Sequence, residues 1–158
     1  MKISMIGTGY VGLVSGTCFS DLGYTVYCVD KEKNKIASLN KCKSPIYEPG
    51  LDEIIKKNLN AGRLIFTTDL HYAVKKSDII FICVGTPTKK NSNSVDLSFV
   101  YKVIKEISKY KNSKKIIVTK STVPVGTGDK IEKILRKGNK KSYDVISNPE
   151  FLREGDAI

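Results

Sequence analysis

Short apolar runs and amphipathic stretches take turns along this chain from one end to the other. The runs at 2–6, 25–30, 64–67, 79–84, 115–119 and 143–147 are mostly continuous Val, Ile and Phe, the pattern of strands covered on both faces. Between them, apolar positions recur at helical spacing over 10–22, 31–39, 51–60, 69–75, 97–110 and 127–136. Strands that alternate with helices predict a parallel sheet, because each parallel connection must travel back across the sheet. The expectation is an α/β fold: one doubly wound, six-stranded parallel sheet with helices on both faces. Gly23 is expected as a left-handed cap after the first helix, Asp69 and Asp129 in first turns, and Gly62 and Gly138 at exits. Three Gly- and Pro-bearing loops remain, at 45–50, 85–96 and 121–128, and the polar stretch 89–94 reads as mobile.

The first strand runs into Gly7-Thr8-Gly9-Tyr10-Val11-Gly12 and then a helix. This is G-x-G-x-x-G in the context that gives it meaning. Gly7 allows the tight turn, Gly9 lets the backbone approach a pyrophosphate, and Gly12 permits close packing of helix on sheet. The helix that follows aims free N–H groups and its positive dipole end at the anion. The second strand ends in Asp30, about 20 residues further on, where a carboxylate accepts hydrogen bonds from the adenosine ribose hydroxyls. Together these predict a Rossmann-type domain. A carboxylate at Asp30 would repel a ribose 2′-phosphate and so favours NAD over NADP, with Lys31, Lys33 and Lys35 nearby acting against that preference.

Length and composition narrow the picture. At 158 residues, with 41% hydrophobic and 27% charged positions, the chain suits one ordinary globular domain. No apolar run approaches the roughly 20 residues of a membrane span, and the opening lacks the shape of a signal peptide. The net charge is +11, but only Arg63, Arg136 and Arg153 among the 27 basic residues are arginine. Lysine pairs spread over the whole chain, Lys114-Lys115 among them, read as solvated faces rather than a base-reading surface. Neither a nucleic-acid nor a membrane partner is expected. Cys18, Cys28, Cys42 and Cys83 form no C-x-x-C pair, and His71 has no Cys or His at ligand spacing. No metal site is therefore expected, and Cys28 and Cys83 read as small buried hydrophobes in a reducing cytoplasm.

In an open parallel sheet ligands sit beyond the carboxyl ends of the strands, which directs attention to the loops leaving the fourth, fifth and sixth. They read Val84-Gly85-Thr86-Pro87-Thr88, Lys120-Ser121-Thr122-Val123-Pro124-Val125-Gly126-Thr127 and Asn148-Pro149-Glu150-Phe151-Leu152-Arg153-Glu154. Each sets hydroxyls or carboxylates beside a proline that fixes its path. Taken singly, Thr86 and Thr122 are as well explained as caps or turn residues, and Glu150 as a cap on its own turn.

Five motifs in order, GTGYVG (Gly7 to Gly12), YEPGL (Tyr47 to Leu51), VGTPT (Val84 to Thr88), KSTVPVGT (Lys120 to Thr127) and NPEFLREG (Asn148 to Gly155), resemble the NAD-binding domain of the UDP-glucose/GDP-mannose dehydrogenase family. The resemblance covers essentially the whole chain. It implies oxidation of a sugar-nucleotide primary alcohol to a carboxylate with two NAD in succession. It also implies cofactor contacts at Gly7, Thr8, Gly9, Tyr10, Val11, Gly12, Asp30, Lys35, Thr86, Ser121, Thr122 and Glu154. Catalytic roles with water and proton transfer are implied for Thr122 and Glu150, and sugar-nucleotide contacts for Glu150, Phe151, Leu152, Arg153 and Glu154. The family's nucleophilic cysteine lies in later domains, and none of the four cysteines here stands in its motif. The expectation is an amino-terminal portion, 1–158, that binds NAD without completing turnover, within a full-length protein that is a homodimer. UDP-glucose is the default substrate because REG follows NPEFL. The alternatives are GDP-mannose, UDP-N-acetylmannosamine, a hydroxyacid or sugar-phosphate dehydrogenase of similar fold, or a non-catalytic nucleotide or nucleic-acid binder, which only the positive charge supports.

Overall fold

The computed structural model describes residues 1–89, 94–110, 114–137 and 143–158. In chain order the elements are β1 (Lys2–Ile6), α1 (Tyr10–Asp21), β2 (Thr25–Val29), α2 (Lys33–Leu39), α3 (Leu51–Asn60), β3 (Leu64–Thr67), α4 (Leu70–Lys76), β4 (Ile79–Ile82), α5 (Ser98–Ile107), β5 (Lys115–Thr119), α6 (Thr127–Arg136) and β6 (Tyr143–Ser147). All strand pairs are parallel and the sheet order is β3-β2-β1-β4-β5-β6. That order reverses direction between β1 and β4, and the reversal opens a crevice at the carboxyl ends.

Two apolar layers hold the helices on. One face packs Leu13, Val14, Ile36, Leu39, Leu51 and Ile55 from α1, α2 and α3 against Met5, Val26 and Phe66. The other packs Val74, Val100, Ile104, Ile131 and Leu135 from α4, α5 and α6 against Ile80, Ile82 and Ile117. Central strands β1 and β2 are buried almost throughout. The edge strand β6 departs from the expected double burial: Tyr143 is buried, while Ile146 is 45% exposed. An edge strand has one neighbour only, and its far side has no layer above it among the described residues.

Most differences from the sequence reading lie at element ends. α2 begins at Lys33 rather than 31 because Asp30 turns its carboxylate back to accept the Glu32 N–H. Asp69 stands one step before α4, as an N-cap accepting the Tyr72 N–H at 2.8 Å, a stronger role than a first-turn charge. Gly23 has φ +97° and closes α1 as expected, with the Tyr24 amide reaching back to the Phe19 carbonyl. Lys115 corrects the picture of solvated lysine pairs: it is 5% exposed and its ammonium donates to the Ser77 carbonyl at 2.6 Å. Burial pulls its pKa down. The expected exit at Gly138 and residues 90–93 of the expected mobile stretch lie outside the described residues.

Candidate functional site

Strand register decides where the site forms. Ile6 stands opposite Val29 and Ile82, Val29 opposite Thr67, Ile82 opposite Thr119, and Thr119 opposite Ser147. All six strands therefore end in one row, and every loop that carries a candidate residue leaves from it.

At the centre of the row the chain turns from β1 into α1. The Gly7 amide donates to the Val29 carbonyl at 2.8 Å. Its φ is +104°, and a Cβ at this position would lie 2.6 Å from the Cys83 carbonyl oxygen, so only glycine fits. A Cβ on Gly12 would lie 1.9 Å from the Gly7 carbonyl oxygen, so helix and turn are in direct backbone contact. Gly9 is the opposite case, with nothing within 4 Å of its Cβ position. Gly9 is the N-cap of α1, which has no side-chain cap and no acid in its first turn. The first-turn amides of Tyr10, Val11 and Gly12 cannot bond within the helix and, with the dipole's positive end, suit an anion. A diphosphate fits this cradle.

Asp30 stands one strand over. Its Oδ2 accepts from the Thr8 amide at 3.1 Å, the Thr8 hydroxyl at 2.7 Å and the Lys35 ammonium at 3.1 Å, while among the described residues Oδ1 accepts only from the Glu32 amide at 3.1 Å. Burial acts to raise its pKa, but bonds from Thr8, Glu32 and Lys35 outweigh it and hold the carboxyl at about 2. The carboxylate is ionised and fixed, with acceptor capacity left on Oδ1. Thr8, 1% exposed, spends both its amide and its hydroxyl on Asp30, so its place in the site is to aim that carboxylate.

The loops after β4 and β5 are stitched together. The Ser121 hydroxyl donates to the carbonyl of Val84 at 2.7 Å and the Thr86 hydroxyl to that of Thr122 at 3.1 Å. Both hydroxyls thus have structural employment, and the exposed Thr122 side chain is carried outward by a backbone they fix. The Lys120 ammonium reaches the Asn148 side chain at 3.3 Å, tying in the loop after β6. Cys83, at the crevice, is pushed up to about 12 by burial, with Lys120 lowering and Glu150 raising it.

Glu150 caps its own turn through the Leu152 amide. Leu152 packs into the core layer under α1, while Phe151 is 96% exposed. Arg153 lies 3.6 Å from Asp156 in an open ion pair. Glu154 helps line a cleft of about 410 Å³ together with Tyr10, Ile46, Tyr47 and Gly155. No hydrogen bond joins Thr122 to Glu150 among the described residues.

Glu48 and Gly16 complete the site's frame without having been singled out from the sequence. A Cβ on Gly16 would lie 2.7 Å from the Cys28 sulfur, so it seats α1 as Gly12 does. Glu48, 7% exposed, gathers donors from Tyr10 and from the chain beyond Arg153. Its motif, YEPGL, was visible, but nothing local to it says which partners the acid meets.

A glycine turn feeding an uncapped helix, an ionised acid at the end of the next strand and a sheet with its switch point between them define a dinucleotide-binding domain. The chain matches the family model for the UDP-glucose/GDP-mannose dehydrogenase family, NAD binding domain, over residues 1–158, and it belongs to that family. NAD is accordingly its dinucleotide. It is 55% identical to a UDP-glucose 6-dehydrogenase of Rhizobium meliloti, over 100% of this chain and 36% of that protein. With UDP-glucose 6-dehydrogenase TuaD of Bacillus subtilis it shares 53% identity, over 99% of this chain and 34% of that one. The crystal structure of a ternary complex of GDP-mannose dehydrogenase from Pseudomonas aeruginosa superposes with a TM-score of 0.95 at 42% identity, covering 100% of this chain and 38% of that one. The chain thus spans about a third of the length of these relatives. Among the described residues no helix is long and apolar enough to cross a membrane.

Proposed function

We propose that this chain is the cofactor-holding part, residues 1–158, of a longer nucleotide-sugar dehydrogenase that oxidises UDP-glucose to UDP-glucuronate. The observation that carries this reading is the single row of strand ends. From that row leave the glycine turn, the chain at Asp30, the Thr86 and Thr122 loops and the segment that carries Glu150 to Glu154, which supports a shared site at the carboxyl edge of the sheet. When bound, NAD supplies the hydride acceptor for each two-electron step.

The chain's own residues divide the remaining work. Amides at the start of α1 hold the diphosphate, and Asp30, aimed by Thr8 and Lys35, holds the adenosine ribose through Oδ1. Thr86 and Ser121 fix the floor beside the cofactor, and the Thr122 hydroxyl orients water over it. Glu150 takes the proton from the alcohol or from that water, and Glu150 to Glu154 face the sugar nucleotide. Burial raises the pKa of Cys18, Cys28 and Cys83, which supports a nucleophilic thiol elsewhere in the longer protein. The four free cysteines support a reducing cytoplasm, and homodimerisation belongs to the longer protein.

Calorimetry with NAD and NADP on this chain, and NADH formation with UDP-glucose, GDP-mannose and UDP-N-acetylmannosamine, test the reading. NAD binding by the chain, without NADH formation until the full-length protein receives UDP-glucose, is the expected result. Absence of NAD binding overturns the cofactor assignment. Preference for GDP-mannose overturns the substrate, and turnover by this polypeptide alone overturns the division of labour.

A further inference from the structure

The carboxylate of Glu48 sits in a loop before α3, yet almost everything it touches belongs to other parts of the chain. Its Oε2 accepts from the Tyr10 hydroxyl at 2.5 Å and the Gly155 amide at 2.9 Å. Its Oε1 accepts from the Ala157 amide at 2.7 Å and the Ile158 amide at 3.2 Å. Residues 148–158 form no helix and no strand; the Asn148 amide still reaches the Thr119 carbonyl at 3.0 Å, but among the described residues the Gly155, Ala157 and Ile158 amides bond to no strand. A single buried acid does for this segment what a neighbouring strand would otherwise do. Tyr10, in the first turn of α1, closes the arrangement: its hydroxyl also lies 2.9 Å from the Arg153 carbonyl and 3.2 Å from the Gly155 amide.

We propose that Glu48 is a positioning residue for the sugar-nucleotide segment: its carboxylate pins the backbone at Gly155, Ala157 and Ile158 and, through Tyr10, fixes that segment to the first turn of α1. The inference rests on the reading of residues 150–154 given above and adds to it the group that sets their place. Glu48 itself reaches no reacting atom. It acts through backbone that stands between it and Glu154, and the wall it sets is the one Glu154 and Gly155 contribute to the 410 Å³ cleft. Tyr47, 84% exposed, is the neighbouring residue and lines the same cleft, so one short stretch of chain both lines the cleft and anchors the segment that carries Glu154 and Gly155.

The test uses the full-length enzyme carrying Glu48→Gln, which keeps the side chain's size but puts an NH₂ group against one of the donors and removes the charge. The KM for the sugar nucleotide should rise by about tenfold or more, with the KM for NAD within about twofold of wild type and kcat falling less. In the same protein, hydrogen exchange at Gly155, Ala157 and Ile158 should quicken by about tenfold or more, with α1 beyond its first turn unchanged. Should Glu48→Gln fail to fold, Tyr10→Phe removes one of the carboxylate's donors. It is expected to raise the sugar-nucleotide KM by about threefold and to quicken exchange at the same amides. Unchanged sugar-nucleotide KM and exchange in either variant overturns the proposal, as does an equal rise in both KM values. If the wild-type enzyme oxidises no sugar nucleotide, the functional reading fails instead, and exchange at the three amides alone decides whether Glu48 is the pin.

Discussion

Gly9 and Gly12 stand three residues apart in one turn, yet the structure gives their alanine variants opposite consequences. Gly9 has φ −69° and ψ −173°, an extended conformation open to any residue, and its Cβ would meet nothing within 4 Å. Gly9→Ala should therefore leave stability unchanged or raise it by about 0.4–1 kcal/mol, through lost freedom of the unfolded chain. Its methyl, however, stands at the mouth of the cradle, where a diphosphate must come close to backbone. Losing two charge-assisted amide bonds, each about 1.5–3 kcal/mol, weakens NAD on the order of 100-fold or more. Gly12→Ala meets the protein first. Real Cβ contacts essentially never fall below 3.0 Å, and this one starts at 1.9 Å from a backbone oxygen, so α1 must move off the turn at a cost of about 1–3 kcal/mol or more. Thermal melts and NAD calorimetry on the two variants separate these effects. Gly9→Ala should melt like wild type and bind poorly, whereas Gly12→Ala should lose both. Wild-type NAD affinity in Gly9→Ala would refute the placement of the diphosphate before α1.

Further consequences can be checked directly. With a pKa of about 2 in the folded chain against an ordinary 3.8, and a side chain only 10% exposed, ionised Asp30 adds about 2 kcal/mol. That contribution is present above about pH 4 and lost as pH falls through about 2. Asp30→Asn should thus be less stable than wild type in urea melts near neutrality, with the gap narrowing in acid. A gap independent of pH would argue against the carboxylate's charge as its source. Asn58 is fully buried and holds Arg63 at 2.8 and 3.0 Å and Asp21 at 2.9 Å; Asn58→Ala should cost about 1–3 kcal/mol by denaturant melts. At pH 8 a thiol reagent should label Cys28 and Cys83 only on unfolding, because burial raises both thiols. Labelling of either in the native protein as fast as a free thiol would contradict their burial.

The sheet was legible because its signals are local. A run such as Ile79-Ile80-Phe81-Ile82 announces a buried strand, and Gly7-Thr8-Gly9 followed by an amphipathic stretch announces the turn into a helix. Asp30 could be placed for the same reason, since a strand's length fixes where its last residue stands. What remained out of reach depends on partners distant in sequence. Lys115 looks like half of a surface pair until β5 slots between β4 and β6 and brings the Ser77 carbonyl beside it. Gly16 looks like one more small residue in a helix until Cys28 and Met5 close on it. Glu48 reads as a loop acid beside a proline, and its partners Gly155, Ala157 and Ile158 lie more than a hundred positions away.

The three acids of the crevice show why residue type alone could not assign their roles. Asp30 and Glu48 each gather several donors and are held below the usual carboxylate range, Asp30 by Thr8, Glu32 and Lys35 against its burial, Glu48 by Tyr10 first and then by amides. Groups so committed stay ionised and fixed at working pH, which suits holding a ribose diol or a stretch of backbone and makes a poor proton acceptor. Glu150 differs in its bonding: among the described residues its carboxylate accepts from the Leu152 amide, two residues on, through Oε2, and no bond is made at Oε1. Proton transfer needs a carboxylate whose second oxygen is free to turn toward substrate. Under the proposed function, the proton would fall to Glu150 on that ground, with the two more deeply engaged acids as fixtures.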